Sequence, residues 1–464
     1  MNDVTSGTPR VAGTTRAIAR WAAECPLSSI PPRGVDVLRE AVLDTLGCAV
    51  FGFDQPWSVI ARDWAREGSQ GSATIWGTED TVRTGDAAFI NGVAAHAFEL
   101  DDYHAVKVHP GAVVIPAAVA VAESRQASLD ALMGAIAIGY EVMIRTSAAL
   151  DPSAGRLRGW HLTGVTGTFG AAAAAGRLLH LNAEQMAWAL GLAGTQSSGL
   201  FAFTADGAMS KRFHAGHAAR SGVAAAELAA RGFSGPTHVY EAPDGGFLNA
   251  YTDIASSIPL TERLGERWQL VDTAFKPYSC CGSLHAYVDA ARALREFAAE
   301  PRAVRVGLPK VVEVQCGFDY TDPTALAAQM NARFCVASAL RFGNVLPAQF
   351  DVERLGDRDT LNLMTRIEQV HDPALDDIYP AQFCGWVEVT DAAGEVRREY
   401  RAEPSGWASN PSRSDVLSAK FDALTKVLLS SQAQTALRDA VDGMGNARND
   451  ARVASLVQPL LLRQ

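Results

Sequence analysis

Titratable side chains crowd into one stretch of the sequence, NGVAAHAFELDDYHAVKVHPGAVVIP, at residues 91–116. Three carboxylates and three imidazoles lie in or beside one polar segment, between apolar, helix-prone residues: Glu99, Asp101, Asp102, His96, His104 and His109. Such crowding shifts pKa values toward those that proton transfer needs. The alternative is a polar loop whose aspartates cap a helix. The rigid turn His109-Pro110-Gly111 before an apolar helix favours an acid/base site.

Two further segments join titratable groups to helix starts. His161, in the run Arg158-Gly159-Trp160-His161, precedes a turn rich in threonine and glycine, where free backbone N–H groups would bind an anion. The alternative is a capping turn with a partly exposed histidine. The run SKRFHAGH places Lys211, Arg212 and His214 at the start of an alanine-rich helix, where the cations would hold carboxylates. A solvated basic turn explains that second run equally well.

A fourth segment, FKPYSCCGSLH, follows the change in sequence character near residue 270. Lys276 and Tyr278 would lie at a domain boundary, where clefts form; the alternative for Lys276 is an ordinary surface lysine. Two adjacent thiols do not easily chelate one tetrahedral ion, so Cys280 and Cys281 are interpreted as small buried residues rather than as a metal site.

Composition excludes several classes of protein. The 464 residues, 48% hydrophobic and 20% charged, suffice for two or three domains with large cores. The net charge of −10 argues against nucleic-acid or acidic-membrane partners. Seven scattered cysteines, without a signal peptide or a long apolar run, predict a cytoplasmic protein. Dinucleotide, P-loop, serine-hydrolase, HExxH and CxxC motifs are all absent from the sequence.

Helical spacing of apolar residues dominates the first part of the chain. It predicts almost continuous helix over residues 14–265, with Thr15 as the first N-cap, although β-branched and glycine residues weaken the pattern at Leu162–Gly170. Small residues let helices approach closely, so we expect these helices to be buried against one another. Residues 1–13 have the character of a disordered tail.

The pattern changes near residue 265. Lys310–Cys316 alternates like a strand, Gly385–Tyr400 has the pattern of a hairpin, and Met364–Val370 indicates a third strand. The sequence therefore predicts a mainly α protein with a large helical domain and a smaller α+β domain. The predicted bounds are 14–268 for the helical domain, 269–410 for the α+β domain, and 411–464 for C-terminal helices that return to the first domain.

Seven stretches resemble the MmgE/PrpD family: AVLDTLGCAVFG, AAFINGVAAHAFELDD, HPGAVVIPAAVAVAE, GYEVMIR, GTFGAAAAAGRLL, KRFHAGHAARSGVAAAELAARGF and KPYSCCGSLHA. They extend over nearly the whole chain. Known members include 2-methylcitrate dehydratase, cis-aconitate decarboxylase and iminodisuccinate epimerase. The resemblance implies a homodimer without metal or cofactor, in which a lid domain closes one side of the active-site cleft.

The resemblance also assigns residues. Carried over by motif, the family's pocket positions fall on Glu99, Asp102, Tyr103, His109, His161, Lys211 and Lys276. The family often has Asp where Glu99 stands and Thr or Ser where Tyr103 stands, and Phe334 takes the place of a tyrosine of the decarboxylase. These departures favour dehydration or epimerisation over decarboxylation.

We therefore expect an enzyme that moves a proton beside a carboxylate of a small di- or tricarboxylate. The first choice is a hydro-lyase of the 2-methylcitrate dehydratase type; an epimerase, a cis-aconitate decarboxylase and a non-catalytic polycarboxylate-binding protein are the alternatives. The expected catalytic residues are His109, His161, Lys211 and Lys276. The expected substrate contacts are Glu99, Asp101, Asp102, Tyr103, Arg212, His214 and Tyr278.

Overall fold

The computed structural model describes residues 11–297, 300–321, 323–446 and 451–461. The protein is mainly α, as predicted, with two large apolar cores. Of the expected N-terminal tail, residues 1–10 lie outside the described part of the chain. Within the described ranges, the helices are too short or too polar to cross a membrane.

The first part of the chain is a stack of helices with one two-stranded hairpin. The helices are α1 Thr14–Glu24, α2 Pro32–Gly52, α3 Pro56–Arg66, α4 Thr84–Ala95, α5 Gly111–Arg125, α6 Leu129–Ala149, α7 Pro152–Leu157, α8 Leu162–Leu178, α9 Ala183–Gly194, α10 Ser210–Ala230, α11 Phe247–Tyr251 and α12 Ile258–Thr261. The hairpin pairs β1 (Ala73–Thr74) with β2 (Thr81–Val82).

Two local predictions for this part were wrong, and one segment with a weak helical pattern is helical. Helix α1 begins at Thr14, and Thr15 lies inside it, where its N–H and hydroxyl both donate to the carboxylate of Glu241. The start of α8, where the sequence pattern is weak, is fully helical. That helix is buried along almost its whole length, so packing outweighs propensity. After Ala230 the chain runs mostly in turns, with only the short helices α11 and α12 in the described chain before residue 265.

Glycines bring the central helices close together, as expected. A Cβ on Gly92 of α4 would lie 3.1 Å from the Cα of Gly216 on α10. A Cβ on Gly164 of α8 would lie 2.6 Å from the carbonyl oxygen of Ser198 and 3.1 Å from the Cβ of His214. The close approach of Gly164 to His214 lets α8 and α10 hold His161 and His214 side by side.

The second part of the chain contains a four-stranded sheet in the order β4-β3-β5-β6. Its strands are β3 Ala303–Leu308, β4 Ile367–His371, β5 Gly385–Thr390 and β6 Val396–Arg401, and β3 is parallel to β4 and antiparallel to β5. Its helices are α13 His285–Leu294, α14 Lys310–Cys316, α15 Ala325–Met330, α16 Ala332–Phe342, α17 Val352–Leu355, α18 Arg358–Met364 and α19 Pro373–Asp376.

The predicted hairpin is confirmed as β5 and β6, and the predicted third strand is β4. The strand predicted at Lys310–Cys316 is wrong, because this segment is helix α14. A strand would bury Val312 and Val314 on one face, yet Val314 is 48% exposed while Val311, Val312, Gln315 and Cys316 are buried. That spacing belongs to one face of a helix. The sequence analysis also missed β3, which lies inside the sheet.

The C-terminal helices are α20 Arg413–Thr425, α21 Ser431–Asp442 and α22 Ala454–Val457. Helix α20 packs against α2, where the side chain of Phe421 lies on Gly47. Lys420 forms a buried ion pair with Asp44 of α2 and donates to the carbonyl oxygen of Leu100 at 2.7 Å. Through this second bond, α20 supports the loop that carries the acidic residues.

Candidate active site

The loop after α4 is held in place from both ends. Phe98 and Glu99 adopt positive φ values of 58° and 56°, a conformation that costs of order 1 kcal/mol for a residue with a side chain. Tyr103 and Ala274 then exchange two main-chain hydrogen bonds of 2.9 and 2.8 Å. This pairing brings Lys276 beside the acidic residues, although the two segments lie far apart in the sequence.

Glu99 is the centre of a buried ion cluster. Lys211 Nζ donates to its Oε1, and Lys276 Nζ donates to its Oε2 at 3.3 Å. Lys276 Nζ also lies 3.6 Å from Oδ1 of Asp101. Arg212 Nη2 lies 3.9 Å from Glu99 Oε1 and donates to a neutral glutamine side chain at 2.9 Å. Three buried cations therefore share two carboxylates, which leaves one positive charge uncompensated.

The cluster decides the charge of its members. Burial alone would raise the pKa of Glu99, but Lys211, Lys276 and Arg212 hold it well below its usual range. Burial would lower the pKa of Lys276, but Glu99 and Asp101 outweigh it, so this pKa is raised. Burial prevails at Lys211, whose pKa is lowered. Of the two lysines, Lys211 therefore releases its proton more readily.

Asp101 lies between two imidazoles. Its Oδ2 accepts a hydrogen bond from His96 Nδ1 at 2.6 Å and lies 3.5 Å from His109 Nδ1. His109 Nδ1 lies 2.8 Å from the main-chain oxygen of Asp102. A carbonyl oxygen only accepts, so we infer that Nδ1 carries the proton and Nε2 is the free acceptor. Burial lowers the pKa of His109 well below its usual range, which leaves Nε2 unprotonated at neutral pH.

Asp102 fixes the turn that presents His109. Its Oδ1 accepts from the N–H of Gly111 at 2.9 Å, and its Oδ2 accepts from the hydroxyl of Tyr140 at 2.8 Å. A Cβ on Gly111 would lie 2.9 Å from Asp102 Oδ1, so the close approach of this carboxylate requires glycine. Burial, with Asp44 and Asp101 nearby, raises the pKa of Asp102 to about 8. Asp102 therefore supports the start of α5 and, through its carbonyl, the orientation of His109.

His161 belongs to a stack of aromatic and imidazole rings. Its Nδ1 lies 3.0 Å from Nδ1 of His214, its ring stacks on that of His96 at 5.8 Å, and Phe203 meets it edge-on. Burial, with His214 and other nearby cationic groups, lowers its pKa well below the usual range. The pKa of His214 falls to about 4, mainly by burial. A hydrogen bond between the two rings needs one donor and one acceptor, which both neutral imidazoles supply.

One pocket joins these groups. Tyr103, His109, His161 and Lys211 line it, together with apolar side chains that include Phe201, Phe383, Met330 and Leu162. Cys281, Gly282 and Ser283 complete it from the second part of the chain. The two imidazoles and the ammonium group thus face a largely apolar space between the two parts of the protein, where charge interactions are strong.

The remaining predicted residues do not line this pocket. Four of them lie behind the pocket lining, where each contacts a lining side chain: Glu99, Asp101, Asp102 and His214. Lys276 and Arg212 belong to the ion cluster. Tyr278 points elsewhere: its hydroxyl donates to Asp289 at 2.5 Å and accepts from Arg292. The roles assigned to these residues remain predictions.

The sequence analysis missed two cations that line the pocket. Lys107 lies two residues before His109, and Arg156 lies five residues before His161, on α7. The available signal was that each cation lies close in the sequence to a predicted histidine. It was not decisive, because long charged side chains near a loop are most often solvated.

His96, Asp101 and His109 are the described residues that could hold a metal ion, since their ligand atoms lie within 4.8 Å of one another. Two features oppose binding of a cation there. Lys276 Nζ lies 3.6 Å from Asp101, and both Nδ1 atoms already face hydrogen-bond acceptors. The expectation of metal-free chemistry therefore stays a prediction.

We expect purified protein to contain far less than one metal ion per chain and to keep its activity after dialysis against EDTA. Elemental analysis by mass spectrometry and an activity assay before and after chelation check this. Stoichiometric zinc or iron, with activity lost on chelation and restored by that metal, would contradict it.

Comparison with known proteins places the chain in a family. The model of the MmgE/PrpD N-terminal domain matches residues 16–256, and that of the MmgE/PrpD C-terminal domain matches residues 278–445. The chain belongs to the MmgE/PrpD family. The segment that carries Lys276 lies between the two matched regions. Residues of both regions line the pocket described above.

Several curated relatives are named as cis-aconitate decarboxylases or as similar to them. The cis-aconitate decarboxylase-like protein oryM of Aspergillus oryzae is 30% identical, over 98% of this chain and 99% of its own length. The cis-aconitate decarboxylase of Aspergillus terreus is 28% identical, over 85% of this chain and 86% of its own. The cis-aconitate decarboxylase of Homo sapiens is 27% identical, over 84% and 83%.

Proposed function

We propose that this protein is a lyase that removes CO₂ from a small unsaturated polycarboxylate related to cis-aconitate. One observation carries the proposal: the unprotonated Nε2 of His109 and the ammonium group of Lys211 belong to side chains that line one largely apolar pocket. An imidazole can move a proton there, while a cation stabilises negative charge that develops on a carboxylate. The names of the full-length relatives support this reaction within the family.

The chemistry follows from the structure of such a substrate. In cis-aconitate, the bond from the methylene carbon to its carboxylate breaks and CO₂ leaves. The electron pair forms a new double bond, and the old double bond's pair moves to the carbon beside another carboxylate. That carboxylate takes up enediolate-like charge, which Lys211 would stabilise. An imidazolium then gives one proton to the carbon, which balances the reaction.

The proton comes from solvent through the imidazole. The pKa of His109 lies well below its usual range, because the ring is buried and Lys276 lies nearby. A polyanion in the pocket reverses this effect, since nearby negative charge favours the protonated ring. Substrate binding would therefore bring the catalytic proton with it. His161, whose pKa is lowered in the same way, is the second candidate donor.

Sequence analysis favoured dehydration, partly because of Phe334. That side chain is buried between Tyr320 and Phe350 and does not line the pocket, so it gives no reason to reject decarboxylation. Tyr103 does favour dehydration as the second candidate. It lines the pocket, and its buried hydroxyl has no hydrogen-bond partner among the described residues. Such a phenol could donate a proton to a leaving hydroxyl.

Proton NMR of the full-length protein in D₂O tests both candidates, with cis-aconitate, citrate, 2-methylcitrate and iminodisuccinate as substrates. Decarboxylation predicts loss of cis-aconitate, release of CO₂ and one deuterium in the product. An unsaturated acid formed from citrate or 2-methylcitrate without CO₂ would replace the proposal with dehydration, and Tyr103→Phe should then reduce turnover strongly. Epimerised iminodisuccinate would make it an isomerase. Binding without turnover would identify a non-catalytic member.

We also propose that the protein is a homodimer. An exposed apolar surface lies beside the ion cluster, formed by α3 and the start of α10, and includes Ile60 (62% exposed), Trp64 (56%), Met209 (49%) and Phe213 (47%). Solvent-exposed apolar patches of this kind mark interaction sites.

Light scattering should give twice the chain mass for the wild type. The double variant Trp64→Glu/Phe213→Glu should shift it toward the monomer, because two charges would be desolvated in the contact. Val352→Glu, at a residue 87% exposed on another surface, is the control and should remain dimeric. A monomeric wild type would contradict the proposal.

A further inference from the structure

Two cations that the proposed reaction does not use line the pocket. They are Lys107 and Arg156. Lys107 adopts a positive φ of 62°, which is unfavourable for a residue with a side chain. Arg156, in the last turn of α7, is only 7% exposed. Arg156 is therefore largely removed from solvent, and Lys107 is half-buried.

Neither cation has a carboxylate partner. Among the described residues, no Asp or Glu oxygen forms an ion pair with Lys107 or Arg156. Lys107 Nζ donates to the hydroxyl of Tyr379 at 2.6 Å and lies 4.3 Å from the centre of that ring. The guanidinium carbon of Arg156 lies 3.5 Å from the centre of the Phe201 ring, and its buried Nε has no hydrogen-bond partner among the described residues.

This arrangement contrasts with the rest of the protein. Lys211 and Lys276 are more deeply buried than Lys107, and they share the carboxylate of Glu99. Arg158, two residues after Arg156, lies at the surface and pairs with Asp253 at 2.8 Å. A buried cation without a counter-ion is unfavourable unless a ligand supplies the charge.

The two charges also disfavour each other. Burial, with a smaller effect from the nearby charge of Arg156, lowers the pKa of Lys107 to about 7. Burial also lowers the pKa of Arg156. A bound anion would relieve both effects, because opposite charge favours the protonated forms. Neutral donors lie at the same place: the hydroxyl of Ser283, itself 2.7 Å from that of Tyr379, lines the pocket.

We propose that Lys107 and Arg156 bind a carboxylate of the substrate that takes no part in the bond-breaking step, and so select substrates with a second or third carboxylate. The inference rests on the proposed function, because it assumes a polycarboxylate in this pocket. The planar guanidinium suits the two oxygens of a carboxylate, and the ammonium group adds a point charge. Together with Lys211, they would give the pocket lining three cations, which match a polyanion better than a monocarboxylate.

The test uses the full-length variants Lys107→Met and Arg156→Met, which remove the charge but keep a long apolar side chain. Arg158→Met and Lys426→Met are matched controls, because both side chains are exposed and lie outside the pocket. Calorimetry measures binding of tricarballylate, a saturated tricarboxylate that cannot react, and of glutarate, which lacks its central carboxylate. Steady-state kinetics with the substrate found by NMR measure kcat and KM separately.

Each pocket variant should raise the Kd for tricarballylate and the KM by about 10- to 100-fold, the worth of one charged hydrogen bond, with kcat changed much less. The preference for tricarballylate over glutarate should shrink in at least one pocket variant and stay in both controls. Lys107→Arg and Arg156→Lys, which keep the charge, should recover part of the affinity. A general structural defect would not produce this separation of KM from kcat.

The outcomes separate the two proposals. A wild type that neither binds nor converts any polycarboxylate overturns both. A wild type that binds and converts one, with pocket variants whose Kd and KM equal those of the controls, overturns only the role of Lys107 and Arg156. Should a Met variant fail to fold by circular dichroism, Lys107→Gln and Arg156→Gln give the same comparison.

Discussion

Replacing His109 with alanine should lower kcat by a factor on the order of 10²–10⁴, the usual contribution of an acid/base group. The structure gives the reason: Nδ1 of this ring faces the carbonyl oxygen of Asp102 at 2.8 Å, so Nε2 is the atom available to the substrate. His161→Ala should cause a loss of the same order, because this ring also lines the pocket and its pKa is held well below the usual range by burial.

The measurement is turnover with the substrate identified by NMR, together with deuterium incorporation into product. His238→Ala is the control, because that histidine is exposed and lies outside the pocket. If only one ring delivers the proton, its variant should lose deuterium incorporation and turnover together, while the other variant loses binding. Near-normal activity in both would show that neither histidine is an acid/base group.

Glu99→Gln should destabilise the fold by about 3–5 kcal/mol, the usual effect of removing one partner of a buried ion pair. The variant leaves Lys211, Lys276 and Arg212 in the interior with only Asp101 to balance them. Activity should fall as well, because an uncompensated Lys211 would lose its proton and no longer stabilise enediolate-like charge.

Urea titration followed by circular dichroism measures the free energy of unfolding. Glu184→Gln breaks an exposed pair with Arg16 and should change it by less than about 1 kcal/mol. Glu99→Gln/Lys211→Met should recover part of the stability, but not the activity. A loss of stability no larger than that of Glu184→Gln would mean that the Glu99 cluster is not coupled to folding.

The difference in the free energy of unfolding between wild type and Glu99→Gln should depend on pH with a definite sign. The pKa of Glu99 in the folded protein is held well below its ordinary value of 4.5. Its stabilising effect is therefore complete at pH values above that ordinary value, and is lost only as the pH falls through the lower, folded pKa. Between about pH 6 and 8, this contribution of Glu99 should stay constant. The gap between wild type and Glu99→Gln should narrow with rising pH only as far as Lys211 loses its proton in the variant.

The family and the reactive side chains could be predicted from sequence because both depend on local patterns. The run from His96 to His109 brings its carboxylates and imidazoles together within a few residues, and its geometry follows from the adjoining helix ends. Helical periodicity is likewise local, so the mainly α fold was predictable. The hairpin of β5 and β6 was found for the same reason, since its turn and both strands are contiguous.

Errors arose where a segment fits two structures and only its neighbours decide between them. The alternation in Lys310–Cys316 fits a strand, but packing buries residues spaced as on one helical face. Strand β3 was missed because its place inside the sheet depends on β4 and β5, which lie more than fifty residues away in the chain. Burial supplied by distant segments outweighs the weak preferences of a short run.

The sequence by itself determined which side chains could do chemistry, whereas the tertiary structure decided how they divide the work. Nothing in the sequence distinguishes Lys211 from Lys276, yet of these two only Lys211 lines the pocket. Both donate to Glu99, because the pairing of Ala274 with Tyr103 brings Lys276 beside that carboxylate. Lys107 and Arg156 belong to no motif. They differ from surface cations because folding places them in the pocket lining without a carboxylate partner among the described residues. Charge, burial and partner are properties of the space around a side chain, and that space is made by segments far apart in the chain.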